Sequence, residues 1–396
     1  MGVETAEPGR RTVRKLVPLG LIFLASGLST AVVGPFLALF LSDEVDAGAL
    51  EVTIFLVVAP LSGVVMSWLV GRVSDRRPIR RTLILAASVA GLAGCLLTAF
   101  IRDYWILLGL TVTAIALAGA LFPQSFAYAR LILQRDDPAR AAMGISTLRT
   151  LFSLAWVAGP PLAAVLIEAG GFRYVYSFAA LTYALAALVA ARRLVELEAV
   201  PAEPGDVGAP VPGRPWPARL AMVAFVLMQT PLVLAVQSLP LFLSRDLGGE
   251  ASAAGLILGL CAALEIPLML GFGWLSTRIP LRTLIIAGGT CGVAYYTLVA
   301  LATSVWILVA GQLLNAVFIA AVSGLGISYM QDMLPREPGR ATTLFTNTFP
   351  IGAMLAGPMF GLAATIGFRS AYAMSAVLCL LGLLVLSTVR QRSIVS

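Results

Sequence analysis

The chain has 396 residues, of which 59% are hydrophobic and 12% charged, and its mean hydropathy is +0.93. This composition excludes an ordinary soluble domain and indicates a helical protein that crosses a membrane many times. The net charge of +7 does not indicate a nucleic-acid partner, because the basic residues lie in short loops between apolar stretches.

The chemistry of an enzyme is missing from the sequence. There is no histidine, and the four cysteines stand singly in separate apolar stretches without CxxC spacing. No pair of carboxylates stands at metal-ligand spacing inside an apolar stretch. We therefore expect no catalytic residues, no bound metal and no cofactor, and we expect membrane lipid as the surroundings of a monomeric protein.

Twelve apolar stretches are each long enough to cross about 30 Å of hydrocarbon as a helix. In chain order they are 16–42, 51–71, 82–101, 105–132, 142–168, 174–191, 218–243, 251–275, 281–302, 305–330, 340–366 and 370–389. The first is too long for the core of a signal peptide and lacks a cleavage site after it, so we expect it in the mature protein.

Basic residues concentrate in every second loop, most densely in the loop after the second stretch. The basic residues of the intervening loops are only Arg102, Arg173, Arg245 and Arg369. By the positive-inside rule both chain ends lie in the cytoplasm, and an even number of crossings requires the same arrangement.

The two halves of the chain are similar in sequence. Leu-Phe-Leu-Ser occurs at 39–42 and 241–244, Gly-x-x-Ser-x-Arg at 71–76 and 273–278, Gly-Pro at 159–160 and 357–358, and Gly-Phe-Arg at 171–173 and 367–369. A parallel repeat predicts two bundles that rock about a site near the middle of the membrane. We expect a tail (1–15), a six-helix bundle (16–191), a linker rich in proline and glycine (192–217), a second six-helix bundle (218–389) and a tail (390–396).

The loop 71–81, Gly-Arg-Val-Ser-Asp-Arg-Arg-Pro-Ile-Arg-Arg, resembles the signature of the major facilitator superfamily, with Pro78-Ile79 in place of the usual glycine. The resemblance implies an all-α membrane protein with twelve transmembrane helices in two pseudo-symmetric six-helix bundles. We expect Gly71 to allow a close approach of helices, and Asp75 and Arg76 to close a cytoplasmic gate. The alternative is that these charges only set the topology.

Gly159-Pro160-Pro161 in the fifth stretch is similar to a Gly-Pro motif of superfamily exporters, although Ala163-Ala164 replaces its closing glycines. Because proline removes a backbone hydrogen bond and kinks a helix, we expect a hinge or a point of close packing at Gly159 and Pro160.

Several longer blocks resemble the bacterial sugar efflux transporters of the superfamily. They are 122–130, Arg149 with 153–163, 264–267, 312–319, 331–332 and 342–347. This resemblance implies export of lactose-like or glucose-like sugars and glycosides across the bacterial cytoplasmic membrane, in exchange for protons.

Polar residues recur at helical spacing on otherwise apolar stretches, as in the stripe of Ser146, Arg149, Ser153 and Trp156. Such side chains must face protein or water, because lipid leaves them without hydrogen bonds. Amides and indoles suit a sugar, which offers hydroxyls and an apolar ring face. The expected sugar contacts are Gln124, Trp156, Gln237, Gln312, Asn315 and Asn347. The alternative is that they join helices by hydrogen bonds.

Glu265 is the only carboxylate predicted near the middle of a stretch. If its helix neighbours the helix of Arg149, as the resemblance implies, the two form a buried ion pair that also contacts the sugar. A pair that opens during transport would take up a proton on Glu265 and release it on closing. A purely structural pair is the alternative. Glu265 also fits a second function, a multidrug antiporter with an acidic residue for lipophilic cations.

Overall fold

The computed structural model describes residues 8–136, 141–197, 216–335 and 337–389. The side chains of 8–16, 75, 134–136, 141–146, 149, 338 and 339 lie outside this description. The predicted tails fall largely outside the described residues, as does most of the predicted linker.

Every regular element in the described ranges is a helix. The α-helices are α1 (Pro8–Val33), α2 (Leu37–Asp43), α3 (Ala49–Arg76), α4 (Arg80–Thr98), α5 (Tyr104–Leu110), α6 (Ala116–Gly119), α7 (Leu121–Asp136), α8 (Ala141–Arg193), α9 (Trp216–Leu241), α10 (Ala253–Leu275), α11 (Leu281–Ala300), α12 (Val305–Met333), α13 (Pro338–Thr346), α14 (Thr348–Ile366) and α15 (Arg369–Thr388). A 3₁₀ turn (Gly34–Phe36) joins α1 to α2, and π-helical turns (Thr111–Ile115 and Phe242–Asp246) follow α5 and α9.

Eleven segments of the described chain are long and apolar enough to cross a membrane, which makes this an integral multi-pass membrane protein. One of them, Thr150–Arg193, has 44 residues and would measure about 66 Å as a straight helix, twice the hydrocarbon thickness. It is interrupted at Gly170 and Gly171, and Gly171 has a φ of 68°, which favours glycine. Dividing the segment there leaves two parts that correspond to the predicted stretches 142–168 and 174–191. The predicted all-α membrane fold is confirmed.

The contacts divide the described residues into two compact units. The first contains 8–34 and 61–197, and the second contains 35–60 and 216–389. The end of the first crossing and the beginning of the second therefore pack with the helices of the second sequence half. This packing is close, because a Cβ on Gly357 of α14 would stand 2.7 Å from Val57 Cγ2 of α3.

The sequence repeat is visible in how helices pack inside each unit. In the first unit, α4 meets α8 at Gly91 against Tyr183, and it meets the π-helical turn at Gly94 against Ile115. In the second unit, α11 meets α15 at Gly289 against Leu383, and it meets α12 at Gly292 against Phe318. A Cβ on any of these glycines would stand 2.5 or 2.6 Å from its neighbour. Small residues at the same two positions therefore allow the same close contacts in both halves.

The repeat extends to hydrogen bonds near the helix ends. Ser74 Oγ donates to Gly71 O at 2.8 Å in α3, and Ser276 Oγ donates to Gly273 O at 2.7 Å after α10. At the start of α4, Arg81 Nη2 donates to Ala191 O at 2.8 Å, and Arg282 of α11 likewise donates to Ser387 O. Each arginine thereby satisfies a carbonyl near the end of its partner helix.

We predict that Gly91→Ala destabilises the protein, because its Cβ would stand 2.5 Å from the Tyr183 ring. Overpacking of this kind typically costs about 1–3 kcal/mol. The measurement is the midpoint of thermal unfolding in detergent. Gly109→Ala is the matched control, since apart from the backbone of its own helix and its chain neighbours no described atom lies within 4 Å of its added Cβ. Equal midpoints for the two variants would contradict the assigned packing.

Candidate functional site

A chain of buried amides connects three helices of the second unit. Gln312 Nε2 of α12 donates to Leu308 O at 2.9 Å and to Tyr295 Oη of α11 at 3.1 Å. Asn315 Nδ2 donates to Gln312 Oε1 at 3.1 Å and to Cys261 Sγ of α10 at 3.3 Å. Gln312 is 1% exposed and Asn315 is 8% exposed. These four side chains, Tyr295, Gln312, Asn315 and Cys261, are called the amide chain below.

Glu265 lies one helical turn beyond Cys261 on α10, so the two side chains share a helix face. Its side chain is half-buried, and no described side chain donates a hydrogen bond to its carboxyl or forms an ion pair with it. The Arg149 side chain is outside the described residues, so the expected pair between Arg149 and Glu265 stays a prediction.

A second polar region follows α9 where it faces α14. Gln229 is buried, and a Cβ on Gly352 of α14 would stand 2.9 Å from the backbone nitrogen of Thr230. Eight residues after Gln229, Gln237 lines a small cavity together with Leu56, Val233, Leu234, Ala353, Ala356, Gly357 and Phe360. Gln237 is the only side chain of this lining that carries a polar group. A ligand group in the cavity would therefore meet apolar walls and one amide.

In the first unit, the predicted contacts Gln124 and Trp156 lie on different helices. Gln124 Nε2 of α7 donates to Ser74 Oγ at 3.4 Å and so connects α7 to the end of α3. Trp156 of α8 is half-buried, and its Cη2 atom is 4.0 Å from the position of a Cβ on Gly34. The remaining expected contact, Asn347, is exposed at the break between α13 and α14 in the second unit.

The predicted gating residues differ in their surroundings. Gly159 and Pro160 are buried, and a Cβ on Gly159 would stand 2.5 Å from Ala31 Cβ of α1, so α8 lies close to α1 here, while the gating role of the two residues stays a prediction. Within its own unit and outside its own helix, no described atom lies within 4 Å of the position of a Cβ on Gly71, and the close helix approach expected there stays a prediction. Arg76 is exposed at the end of α3, and the Asp75 side chain is outside the described residues.

Four amides share one property. The side-chain oxygens Gln124 Oε1, Gln229 Oε1, Gln237 Oε1 and Asn315 Oδ1 are buried and accept no hydrogen bond from the residues that the structure describes. An unpaired buried polar atom costs about 1–3 kcal/mol, so a set of them marks places where a ligand can supply hydrogen-bond donors. Among the described residues, no group of three or more His, Cys, Asp or Glu side chains is placed to hold a metal ion.

Sequence reasoning missed Tyr295, Cys261 and the contact of α3 with α14. The spacing of four residues between Cys261 and Glu265 was a usable signal for Cys261. Nothing in the sequence around Tyr295 distinguishes it from its neighbour Tyr296. Arg245 Nη2, in the π-helical turn after α9, and Asp43 Oδ1, at the end of α2, form an exposed ion pair at 2.8 Å, which pattern reasoning also missed.

The sequence model of the Major Facilitator Superfamily matches residues 19–291 and 220–394. The chain is 35% identical over 370 residues to a putative sugar efflux transporter of Deinococcus radiodurans, covering 91% of this chain and 94% of that protein. It is 35% identical over 377 residues to sugar efflux transporter A of Dickeya chrysanthemi, covering 92% and 95%. Sugar efflux transporter A of Escherichia coli K12 is 34% identical over 375 residues, covering 93% and 95%.

Solved structures with the same fold include a mutant of the nucleoside transporter NupG, with a TM-score of 0.79 and 10% identity over 95% of this chain and 100% of that one. A bacterial homologue of the human lysosomal transporter Spinster has a TM-score of 0.75 and 14% identity, with 97% of each chain covered. At these identities the structures show the fold alone. The sequence relatives show more, and the chain belongs to the sugar efflux transporter family of the Major Facilitator Superfamily.

Proposed function

We propose that this transporter exports small neutral sugars and glycosides, lactose-like or glucose-like, across the bacterial cytoplasmic membrane. It acts as a monomer with both chain ends in the cytoplasm and exchanges each sugar for protons by alternating access. The names of the relatives support sugar export. The observation that carries the proposal is the set of buried amide oxygens without a partner among the described residues.

Sugar hydroxyls supply the donors that these oxygens need. Gln124, Gln237 and Asn315 accept them, Asn347 offers a further amide, and the Trp156 ring packs against the apolar face of a pyranose. A cavity for lipophilic cations needs mainly apolar and aromatic walls. An apolar ligand would bind weakly beside several unpaired amide oxygens. It displaces the water that donates hydrogen bonds to these oxygens and donates none itself.

Glu265 is the proposed proton carrier. It is half-buried in α10, one turn from the amide chain, and the sequence contains no histidine for this role. Arg149 is its proposed partner. A cycle in which the carboxyl alternates between this arginine and a proton couples export to the proton gradient.

Alternating access requires contacts that form on one side of the membrane and break on the other. On the outer side, α14 closes on α3, with Gly357 against Val57 and Gly361 against Thr53. The ion pair of Asp43 with Arg245 lies at the same side. On the cytoplasmic side, Asp75 and Arg76 beside Gly71 form the proposed gate, and Gly159 with Pro160 supplies the hinge.

The first test is the flux of labelled lactose, glucose and a thioglycoside from proteoliposomes containing the purified protein, with and without an imposed pH gradient. We expect sugar flux that the gradient drives. Lipophilic cations should neither move with the gradient nor compete with the sugar. Cation flux without sugar flux would replace the proposal with a multidrug antiporter.

The carboxyl of Glu265 is tested by Glu265→Gln, which keeps the size of the side chain and removes its ability to carry a proton. We expect a folded protein whose sugar flux no longer responds to the pH gradient. Glu168→Gln is the matched control, because Glu168 is exposed near the end of the fifth crossing. Coupling at the wild-type level in Glu265→Gln would remove this residue from the mechanism.

The contact of α14 with α3 is tested by Gly361→Ala. The added methyl overlaps Thr53 Oγ1, which donates a hydrogen bond to Ala49 O at 2.7 Å. The overlap therefore prevents α3 from packing closely against α14. We expect the maximal sugar flux to fall at least about fivefold, since overpacking costs about 1–3 kcal/mol. Gly271→Ala, with open space around its Cβ among the described atoms, should transport normally. Unchanged flux in Gly361→Ala would show that this contact has no role in the cycle.

A further inference from the structure

We infer that Gln312 and Tyr295 are positioning residues that hold Asn315 with its Oδ1 atom free to accept a hydrogen bond from a hydroxyl of the substrate. The inference deepens the proposed function and rests on it. The sequence predicts that Gln312 contacts the sugar. Here Gln312 instead orients Asn315, which makes the contact.

The orientation of the Gln312 amide is fixed by the main chain. Leu308 O can only accept a hydrogen bond, so the atom facing it at 2.9 Å must be Nε2. The second Nε2 proton goes to Tyr295 Oη. Gln312 Oε1 then points to Asn315 and accepts from its Nδ2 at 3.1 Å. With both protons and one oxygen engaged and 1% of its surface exposed, Gln312 is closed to a ligand.

The same argument fixes Asn315. Gln312 Oε1 needs a donor, so Asn315 must present Nδ2 to it, and the second Nδ2 proton is used by Cys261 Sγ at 3.3 Å. All four amide protons are thereby consumed within the amide chain. The one hydrogen-bonding atom of the two amides that no described residue engages is Asn315 Oδ1.

The amide chain ends in a hydrogen-bond acceptor, Asn315 Oδ1, and therefore favours substrates that carry hydrogen-bond donors. A hydroxyl donates to Asn315 Oδ1, whereas a carboxylate or phosphate presents only acceptors and is repelled. Glu265 lies one turn from Cys261 on the same face of α10, so the oxygens of its carboxyl add further acceptors on this face. Asn315 and Glu265 together therefore favour a polyhydroxylated neutral substrate over an anionic sugar such as a sugar phosphate.

Two neighbouring tyrosines provide a matched test. Tyr295 and Tyr296 are both buried on α11 and meet edge to face with ring centroids 5.1 Å apart. Tyr295 Oη accepts from Gln312, whereas Tyr296 Oη has no partner among the described residues. We expect Tyr295→Phe to raise the sugar KM about two- to tenfold with the maximal rate unchanged, as loss of one hydrogen bond predicts. Tyr296→Phe should leave the KM unchanged.

A second readout does not depend on transport. In a protein that retains Cys261, with Cys95, Cys291 and Cys379 replaced by alanine, Gln312→Leu releases Asn315 from the thiol. We expect reaction of Cys261 with N-ethylmaleimide to become at least about fivefold faster, and the sugar KM to rise about tenfold or more. Gln331→Leu is the control, because Gln331 is also on α12 but donates to Thr342 Oγ1, away from the amide chain.

The acceptor role is tested with lactose, or glucose if it gives the larger flux, and with its single deoxy and single fluoro derivatives. A fluorine can accept but not donate. At the hydroxyl bound by Asn315, both derivatives should therefore bind equally poorly to the wild-type protein, and Asn315→Leu should abolish the difference from the parent sugar.

Equal effects of Tyr295→Phe and Tyr296→Phe on the KM would overturn the positioning role, as would an unchanged maleimide rate in Gln312→Leu. If at every position the fluoro sugar binds as well as the parent, the acceptor role is overturned. Absence of any sugar flux in the wild-type protein would instead overturn the proposed function, while the maleimide experiment would still decide whether Gln312 positions Asn315.

Discussion

Hydrocarbon offers no hydrogen-bond partners, and this constraint decides what each polar side chain inside the crossings can do. Most hydroxyls satisfy it within their own helix, as Ser88 does by donating to Ile84 O and Thr230 by donating to Val226 O. Amides have more atoms than one helix can satisfy. They therefore either join neighbouring helices or keep an unpaired atom, and the amide chain in the second unit does both.

Close packing makes these polar contacts possible. The hydrogen bonds from Asn315 to Cys261 and from Gln312 to Tyr295 connect α12 to α10 and α11. The helices must approach one another closely for such short side chains to meet, and Gly292 against Phe318 provides that approach between α11 and α12. The first unit has the equivalent glycine, Gly94, and its described residues form no equivalent amide chain. The close glycine contact thus occurs in both units, whereas among the described residues the amide chain occurs in the second unit alone.

The sequence predicted the fold well because hydrophobic length and the distribution of arginines act over whole helices. The breaks were not predictable in the same way. The π-helical turns at Thr111–Ile115 and Phe242–Asp246 leave no mark on hydropathy, and Gly170-Gly171 was read only as the space between two stretches. The residues of the site were found by their polarity. Their partners were not, since Asn315 and Cys261 are 54 positions apart and helical periodicity does not identify the neighbouring helix.

The amide chain begins at a main-chain atom, the carbonyl of Leu308, which no point mutation at that position can remove. One end of the amide chain is therefore fixed by the backbone, whereas the other end is a side chain, Asn315, that a mutation can replace. A change of the last residue alters which atom stands at the end of the amide chain without disturbing the anchor. Under the proposed function, a substitution at this one position changes the sugar preference while the scaffold behind the site stays intact.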